Sequence, residues 1–192
     1  MQEVDKGCLR TGRVDQTAFL ANSTGLRHSE FSSFFDFNGG EYGLAILSRY
    51  PLSKVNKLRL PDGSEPRAAL IAQVQHPFQN IKVANVHFCG TKNQRISQAK
   101  VLLGNLKGES PKVILGTFDF QADAKELKLF SDWTIPSKGK NRFTFPADDP
   151  KTEADFALYS RSSALQLGKI EVIDAPIASD HRPVSLELRF VK

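Results

Sequence analysis

Ala-Ser-Asp-His-Arg-Pro-Val at residues 178–184, followed by Ser-Leu-Glu-Leu-Arg-Phe at residues 185–190, places an acid and an imidazole side by side where a loop enters a strand-like run. A carboxylate can hold a hard divalent cation, and a histidine can move a proton or stabilise charge on a phosphoryl group. Taken alone, the same residues also fit a polar turn before a C-terminal strand. Further motifs elsewhere in the chain are therefore needed to distinguish a functional site from a turn.

The composition is that of a globular protein. The chain has 192 residues, of which 40% are hydrophobic and 24% charged, and this is enough for one domain with a substantial core. Its net charge of +5 mildly favours an anionic partner. No apolar run approaches the roughly 20 residues that a membrane span needs, and the first residues lack a signal-peptide pattern. Neither the oligomeric state nor the cellular location follows from the sequence.

The two cysteines, Cys8 and Cys89, have no zinc-ligand spacing and form no disulfide framework. Free thiols are the simplest interpretation, and a single bridge between them stays open.

Strands outnumber helices in the predicted secondary structure. Helices are predicted over residues 14–22, 93–106 and 122–130. Strands are predicted over residues 29–37, 41–48, 68–75, 81–88, 113–115, 156–159, 165–173 and 184–190. Many of these strands are joined by hairpins rather than by helical crossovers. This favours a two-sheet sandwich flanked by helices over a doubly wound parallel sheet.

Acids and histidines recur at the ends of these strands. A single acid at a strand end is usually a turn former, so the argument depends on the whole series. Its members are Glu3, Glu41, Asn85 and His87, Gly116-Thr117-Phe118-Asp119, Asp155, and Asp180 with His181. His28 and His76 stand apart from it and are predicted to be surface or turn residues.

Seven segments carry a resemblance to a known superfamily. They are QEVD at residues 2–5, GGEYGLAILSRYPL at 39–52, EPRAAL at 65–70, NVHF at 85–88, RISQAK at 95–100, DFALYS at 155–160 and ASDHRPV at 178–184. In order and wording they resemble the endonuclease/exonuclease/phosphatase superfamily, and the closest likeness is to compact bacterial members loosely called metal-dependent hydrolases. The resemblance implies an α/β fold, a four-layer sandwich of two mixed, largely antiparallel β-sheets flanked by helices, with the site at one edge of the sheets.

The resemblance also implies a phosphoesterase centre. Glu3 and Asp180 match the acids that lie at or near a bound Mg²⁺ or Mn²⁺. His181 matches the histidine that contacts the scissile phosphate, and Asp155 matches the acid that orients this histidine. A cation and a protonated histidine would neutralise charge on the phosphate oxygens during hydrolysis.

A second set of residues is expected around the same phosphate. His87 matches the second histidine of the nuclease-like members, with Glu41 as a plausible orienting partner, and Arg67 and Asn85 are expected to contact the substrate. The implied partner is a phosphate-ester substrate, with nucleic acid and a phospholipid head group as candidates. A general nucleic-acid-binding module is an alternative that rests on net charge alone.

One motif departs from the superfamily's pattern. The usual Gly-Asp-Phe-Asn reads Gly116-Thr117-Phe118-Asp119, so the acid that normally aligns or deprotonates the attacking water is a threonine. Loss of a positioned general base typically costs about 10²–10⁴-fold in rate. Three alternatives follow: Asp119 takes over metal binding or water activation, weak residual activity remains, or the chain is a catalytically silent member that binds a phosphorylated ligand or a protein partner. Exchange to the usual residues, Thr117→Asp with Asp119→Asn, is expected to raise activity.

The start of the chain also differs from the superfamily's pattern, in which an earlier strand precedes the glutamate motif. We therefore expect residues 1–192 to form one domain that lacks this first strand. A shortened sequence, a misplaced start codon and a domain completed by another segment all remain open.

Overall fold

The structure is a computed structural model that describes residues 1–120, 125–161 and 164–191. Within these ranges it has two α-helices and eleven strands. The helices are α1 (Gln16–Thr24) and α2 (Lys92–Asn105). The strands are β1 (Val4–Lys6), β2 (His28–Phe37), β3 (Gly40–Ser48), β4 (Leu52–Arg59), β5 (Ala68–Val74), β6 (Ile81–His87), β7 (Lys112–Thr117), β8 (Trp133–Thr134), β9 (Asp155–Ser160), β10 (Leu165–Val172) and β11 (Val184–Phe190).

Six strands form the main sheet in the order β4-β5-β6-β7-β9-β8. Neighbours are antiparallel except β6 and β7, which are parallel and are connected by α2. Parallel neighbours need such a crossover because a tight turn cannot join them. A three-stranded sheet, β1-β3-β2, and the antiparallel pair β10-β11 pack on the opposite face of the main sheet from α2.

Both helices begin with a side-chain cap. Asp15 accepts a hydrogen bond from the Ala18 N–H and starts α1, and Gly25, with φ of 71°, ends it. A reciprocal capping box between Thr91 and Gln94 starts α2. These caps explain why the helices predicted over residues 14–22 and 93–106 lie close to where the structure has them.

The core lies on both faces of the main sheet. Ala84, Val86, Ile114, Phe156 and Leu158 face α2, and full burial of a large apolar side chain contributes about 1.5–3 kcal/mol. Because alternate residues of a strand point to opposite faces, the odd-numbered residues of β6, β7 and β9 face the smaller sheets. This alternation directs the polar residues at the ends of those strands into the space between the two layers.

The predicted sandwich and the hairpin of β5 and β6 are confirmed. Three strands were missed: β1 and β8 are too short to show a pattern, and β4 is largely exposed. The predicted helix 122–130 is replaced at Lys125–Phe130 by a 3-10 helix, while residues 122–124 lie outside the described ranges. Cys8 and Cys89 are both free and buried.

In the part of the chain that the structure describes, no helix has the length and apolar character needed to cross a membrane.

Candidate functional site

Three polar residues form a row across the inner face of the main sheet. His87 at the end of β6 pairs with Thr117 of β7, and Thr117 pairs with Asp155 of β9. Gly116 permits the close approach of β6 and β7, since a Cβ on it would lie 1.9 Å from the carbonyl oxygen of Val86. The pairing of the strands therefore assembles residues that are far apart in the sequence.

Asp155 holds both a histidine and a hydroxyl. Its Oδ2 lies 2.7 Å from Nδ1 of His181, and its Oδ1 accepts a hydrogen bond of 2.7 Å from the Thr117 hydroxyl. The Asp155 backbone N–H donates to Oγ1 of Thr144 at 3.3 Å. Both oxygens of this partly buried carboxylate are thus engaged.

The loop that carries His181 is fixed by backbone hydrogen bonds. The Arg182 N–H donates to the carbonyl of Thr144 at 2.8 Å, and the Ala147 N–H donates to the carbonyl of Asp180 at 2.7 Å. The Phe145 ring lies against the imidazole of His181, with 4.7 Å between ring centroids. The imidazole is therefore held on one side by Asp155 and on another by an aromatic ring.

The Asp155–His181 pair favours the charged form of both groups. Burial alone would raise the pKa of Asp155, but hydrogen bonds from His181, Thr144 and Thr117 outweigh burial and lower it. Burial would likewise lower the pKa of His181, but the hydrogen bond to Asp155 and its charge raise it. His181 therefore keeps its proton to a higher pH than a free imidazole.

Glu3 faces two nitrogen-bearing side chains. Its Oε1 lies 3.7 Å from Nδ1 of His87 and 3.8 Å from Nη2 of Arg67. Arg67 is 4% exposed at its side chain, also pairs with Glu65, and lies over the Phe34 ring at 4.8 Å. Two further nitrogens of Arg67, Nε and Nη1, are buried without a hydrogen-bond partner in the described structure. This buried guanidinium is a fixed positive charge whose effect reaches His87.

His87 differs from His181 in its protonation. Burial, and then the positive charge of Arg67, lower the pKa of His87 to about 3. The imidazole is therefore neutral at physiological pH, and its Nδ1 is buried without a hydrogen-bond partner in the described structure.

Asp119 follows β7 two residues after Thr117, and its side chain is 56% exposed. Its φ of 52° lies in the left-handed region, which Asp tolerates better than most residues. Burial raises the pKa of Asp119, and the charges of Arg95 and Arg67 offset part of this rise. Nη1 of Arg95 lies 3.7 Å from the Asp119 carboxylate, and Nη2 of Arg95 binds Glu126 at 3.2 Å.

Glu3 and Asp180 are the residues that could hold a metal ion. Both are exposed, and the negative charges of both raise the pKa of His181, so both act on the same imidazole. Among the described residues no group of three or more His, Cys, Asp or Glu side chains is arranged around one metal position. Mg²⁺ is often bound through only one or two carboxylates, with waters and substrate oxygens completing its shell. Two exposed carboxylates are the kind of protein ligand that such an ion uses.

The sequence suggested Glu41 as the orienting partner of His87. The structure does not bring these two side chains together. The register of β1 and β3 places Glu41 opposite Lys6, and its Oε2 lies 3.5 Å from the Lys6 Nζ. Glu41 lines a separate cleft with Phe31, and the carboxylate that faces His87 is Glu3.

Asn85 is likewise not open to a substrate. Its side chain is buried, and its amide group donates to the carbonyl of Met1 at 2.6 Å and to that of Ala45 at 3.0 Å. It also accepts a hydrogen bond from the side chain of Gln2. Asn85 therefore joins the main sheet to the smaller one.

Sequence reasoning missed a buried ion pair beneath Asp155. Lys138 is 1% exposed at its side chain, lies 2.5 Å from Glu153, and donates to the backbone carbonyl of Asp155 at 3.1 Å. Thr144 and Arg95 were missed as well. No local signal in the sequence marks these residues, because their roles depend on loops that meet only in the fold.

No family model and no curated protein match the sequence. Solved structures do match the fold. An endonuclease/exonuclease/phosphatase family protein from Leptotrichia buccalis superposes with a TM-score of 0.77 at 15% identity, over 99% of this chain and 86% of that one. An endonuclease/exonuclease/phosphatase from Beutenbergia cavernae gives 0.75 at 18% identity over 98% of this chain, which spans 61% of that protein's length.

A mannosyl-6-phosphatase from Bacteroides thetaiotaomicron has the same fold, with a TM-score of 0.72 at 15% identity, over 91% of this chain and 81% of that one. At these identities the likeness establishes the fold. The fold expected from the sequence resemblance, an α/β sandwich, is confirmed.

Proposed function

We propose, from the premise that this chain has the fold of the endonuclease/exonuclease/phosphatase proteins, that it is a divalent-metal-dependent phosphoesterase acting on phosphodiesters. The observation that carries the proposal is the Asp155–His181 pair, joined at 2.7 Å, together with the exposed carboxylates Glu3 and Asp180, whose negative charges act on the same imidazole. One of the solved structures of this fold is named a phosphatase. The net charge of +5 also suits an anionic substrate.

His181 is the group that contacts the phosphate in this proposal. Asp155 keeps it protonated, so that it donates a hydrogen bond to a phosphate oxygen on which negative charge develops. The buried guanidinium of Arg67 adds a positive charge, and it also helps to keep the imidazole of His87 neutral. These groups stabilise charge without having to reorganise during the reaction.

Asp119 is the group that would orient the attacking water. It is the exposed carboxylate of the Gly116–Asp119 segment, and its raised pKa moves it toward the range in which a general base works best. In this proposal Glu3 and Asp180, whose charges both act on His181, would hold Mg²⁺ or Mn²⁺ with waters and substrate oxygens completing its shell. When bound, that ion supplies Lewis-acid neutralisation of the phosphate oxygens.

The test is hydrolysis of bis-p-nitrophenyl phosphate, plasmid DNA and sphingomyelin by the purified chain, with Mg²⁺, with Mn²⁺ and with EDTA. We expect metal-dependent hydrolysis of at least one of them, and a loss of about 10²–10⁴-fold in His181→Ala and in Asp155→Ala. His28→Ala, a histidine on β2, serves as the matched control and should keep full activity. Absence of hydrolysis of all three substrates by folded protein would contradict the proposal.

A catalytically silent binding domain is the second candidate, and the Thr117 contact favours it. The Thr117 hydroxyl donates to Asp155, so position 117 supplies no base for a water molecule. Calorimetry separates the two candidates. An enzyme should bind Mg²⁺ with measurable heat, and this heat should disappear in Glu3→Gln and in Asp180→Asn. A silent domain should bind a phosphorylated ligand but no Mg²⁺.

A further inference from the structure

We propose that Thr117 is a positioning residue whose hydroxyl holds the Asp155 carboxylate in the orientation in which it accepts the hydrogen bond from His181. This inference rests on the proposed function in that it gives position 117 a role in the phosphate-binding pair. Its structural part can be tested without turnover.

The geometry of the carboxylate carries the inference. Thr117 engages Oδ1 and His181 engages Oδ2, each at 2.7 Å, so the Asp155 carboxylate cannot turn without losing one of the two bonds. Thr117 and Asp155 are also directly paired in the ladder of β7 and β9. Their contact is therefore built into the sheet and does not depend on a loop.

Burial makes the contact hard to replace. Thr117 is 7% exposed, and the Asp155 side chain is 13% exposed. If the hydroxyl were removed, an oxygen of a charged carboxylate would be left without its donor in a place that solvent reaches poorly. The Asp155 carboxylate would then keep only its contacts with His181 and Thr144.

The contact also defines the chemistry that position 117 needs. Asp155 is an ionised acceptor, so its neighbour has to be a donor, and a hydroxyl meets this need. An acidic side chain at position 117 could donate a hydrogen bond to Asp155 only in its protonated form. Thr117 thus serves as a hydrogen-bond donor to Asp155. In the proposed function it is Asp119, whose side chain is exposed, that activates the water.

The experiment compares Thr117→Val, which keeps the shape and removes the donor, with Thr117→Ser, which keeps the donor. The first readout is the proton NMR resonance of the His181 Nδ1–H, which a short hydrogen bond to a carboxylate moves downfield of the amide region. It is assigned by its absence in His181→Ala. Thr134→Val, a hydroxyl deletion on β8 of the same sheet, is the matched control.

We expect the downfield resonance in the wild type, in Thr117→Ser and in Thr134→Val, and its loss or broadening by exchange in Thr117→Val. With an active chain, kcat should fall about tenfold in Thr117→Val with KM changed less than twofold, and Thr117→Ser should restore kcat. An unchanged resonance in folded Thr117→Val overturns the inference. Should Thr117→Val fail to fold, Thr117→Ala is compared with Thr117→Ser by the same resonance.

The two proposals fail in different ways. A chain that hydrolyses no phosphate ester but loses the resonance in Thr117→Val refutes the proposed function and leaves the positioning role intact. A chain that is active and keeps the resonance in Thr117→Val refutes the positioning role alone.

Discussion

Thr117→Asp would place a second carboxylate against Asp155 and should weaken both folding and catalysis. The Thr117 hydroxyl lies 2.7 Å from Oδ1 of Asp155. Two full negative charges at that separation repel by about 6 kcal/mol at an effective dielectric constant of 20. The pair avoids this cost by keeping one proton, as closely spaced carboxylates do.

The retained proton gives the variant a characteristic pH dependence. A carboxyl whose folded-state pKa is raised above its unfolded value of about 3.9 stabilises the folded state below that pH, and this stability is lost as the pH rises. We therefore expect Thr117→Asp to match Thr117→Asn near pH 4. Above this pH it should lose up to about 1.4 kcal/mol per pH unit until the raised pKa is reached. The wild-type Asp155, with its lowered pKa, has the opposite dependence, because its contribution is lost as the pH falls.

The assay is urea unfolding of Thr117→Asp and Thr117→Asn at pH 4, 6 and 8, together with phosphodiester hydrolysis by the wild type, by Thr117→Asp and by the double variant Thr117→Asp with Asp119→Asn. The shared proton would neutralise charge that faces His181, so we expect hydrolysis below the wild-type rate. From this contact we expect the opposite of what the motif alone predicts, namely that Thr117→Asp with Asp119→Asn raises activity. Equal stability of the two variants at pH 8, with a faster double variant, would refute this reasoning.

Three further outcomes follow from particular contacts. Glu3→Gln should abolish the thermal stabilisation of the protein by Mg²⁺. Glu41→Gln removes only an exposed ion pair worth about 0–1 kcal/mol and should leave this stabilisation unchanged. Thermal melting of both variants with and without Mg²⁺ measures the difference. Phe118→Ala should cost about 3–5 kcal/mol in urea unfolding, because Phe118 is fully buried against four aromatic rings, and a cost below 1 kcal/mol would contradict this packing. The hydrogen bonds from Arg10 lower the pKa of buried Asp5. Asp5→Asn should therefore be less stable than the wild type by about 1.5–3 kcal/mol at pH 7. This difference in stability should disappear as the pH falls below about 4, and denaturation curves of both proteins over pH 2–7 measure it.

Much of the secondary structure followed from local pattern. The apolar spacing of α2 and its Thr91–Gln94 cap, and the β-rich segments of the β5–β6 hairpin, are visible in the sequence because the signals lie within a few residues of one another. The exposed strand β4 lacks such a signal, since its pairing with β5 determines it more than its own residues do.

Pairing between distant residues was harder to infer. The Asp155–His181 contact could be expected from the resemblance and is present at 2.7 Å. The expected Glu41–His87 contact is absent, because the register of β1 and β3 pairs Glu41 with Lys6 and leaves Glu3 facing His87. A shift of register by one residue would reverse the face of each side chain, and the sequence does not state the register.

The sequence by itself determined the acid and histidine at residues 180 and 181, the order of the strand-end motifs, and the presence of a threonine at position 117. Only the tertiary structure decided what that threonine does. The pairing of β7 with β9 places the Thr117 hydroxyl against Oδ1 of Asp155. The loop that carries His181 brings the imidazole to Oδ2 of the same carboxylate. Hydrogen bonds act over about 3 Å, so their partners are fixed only when the chain has folded.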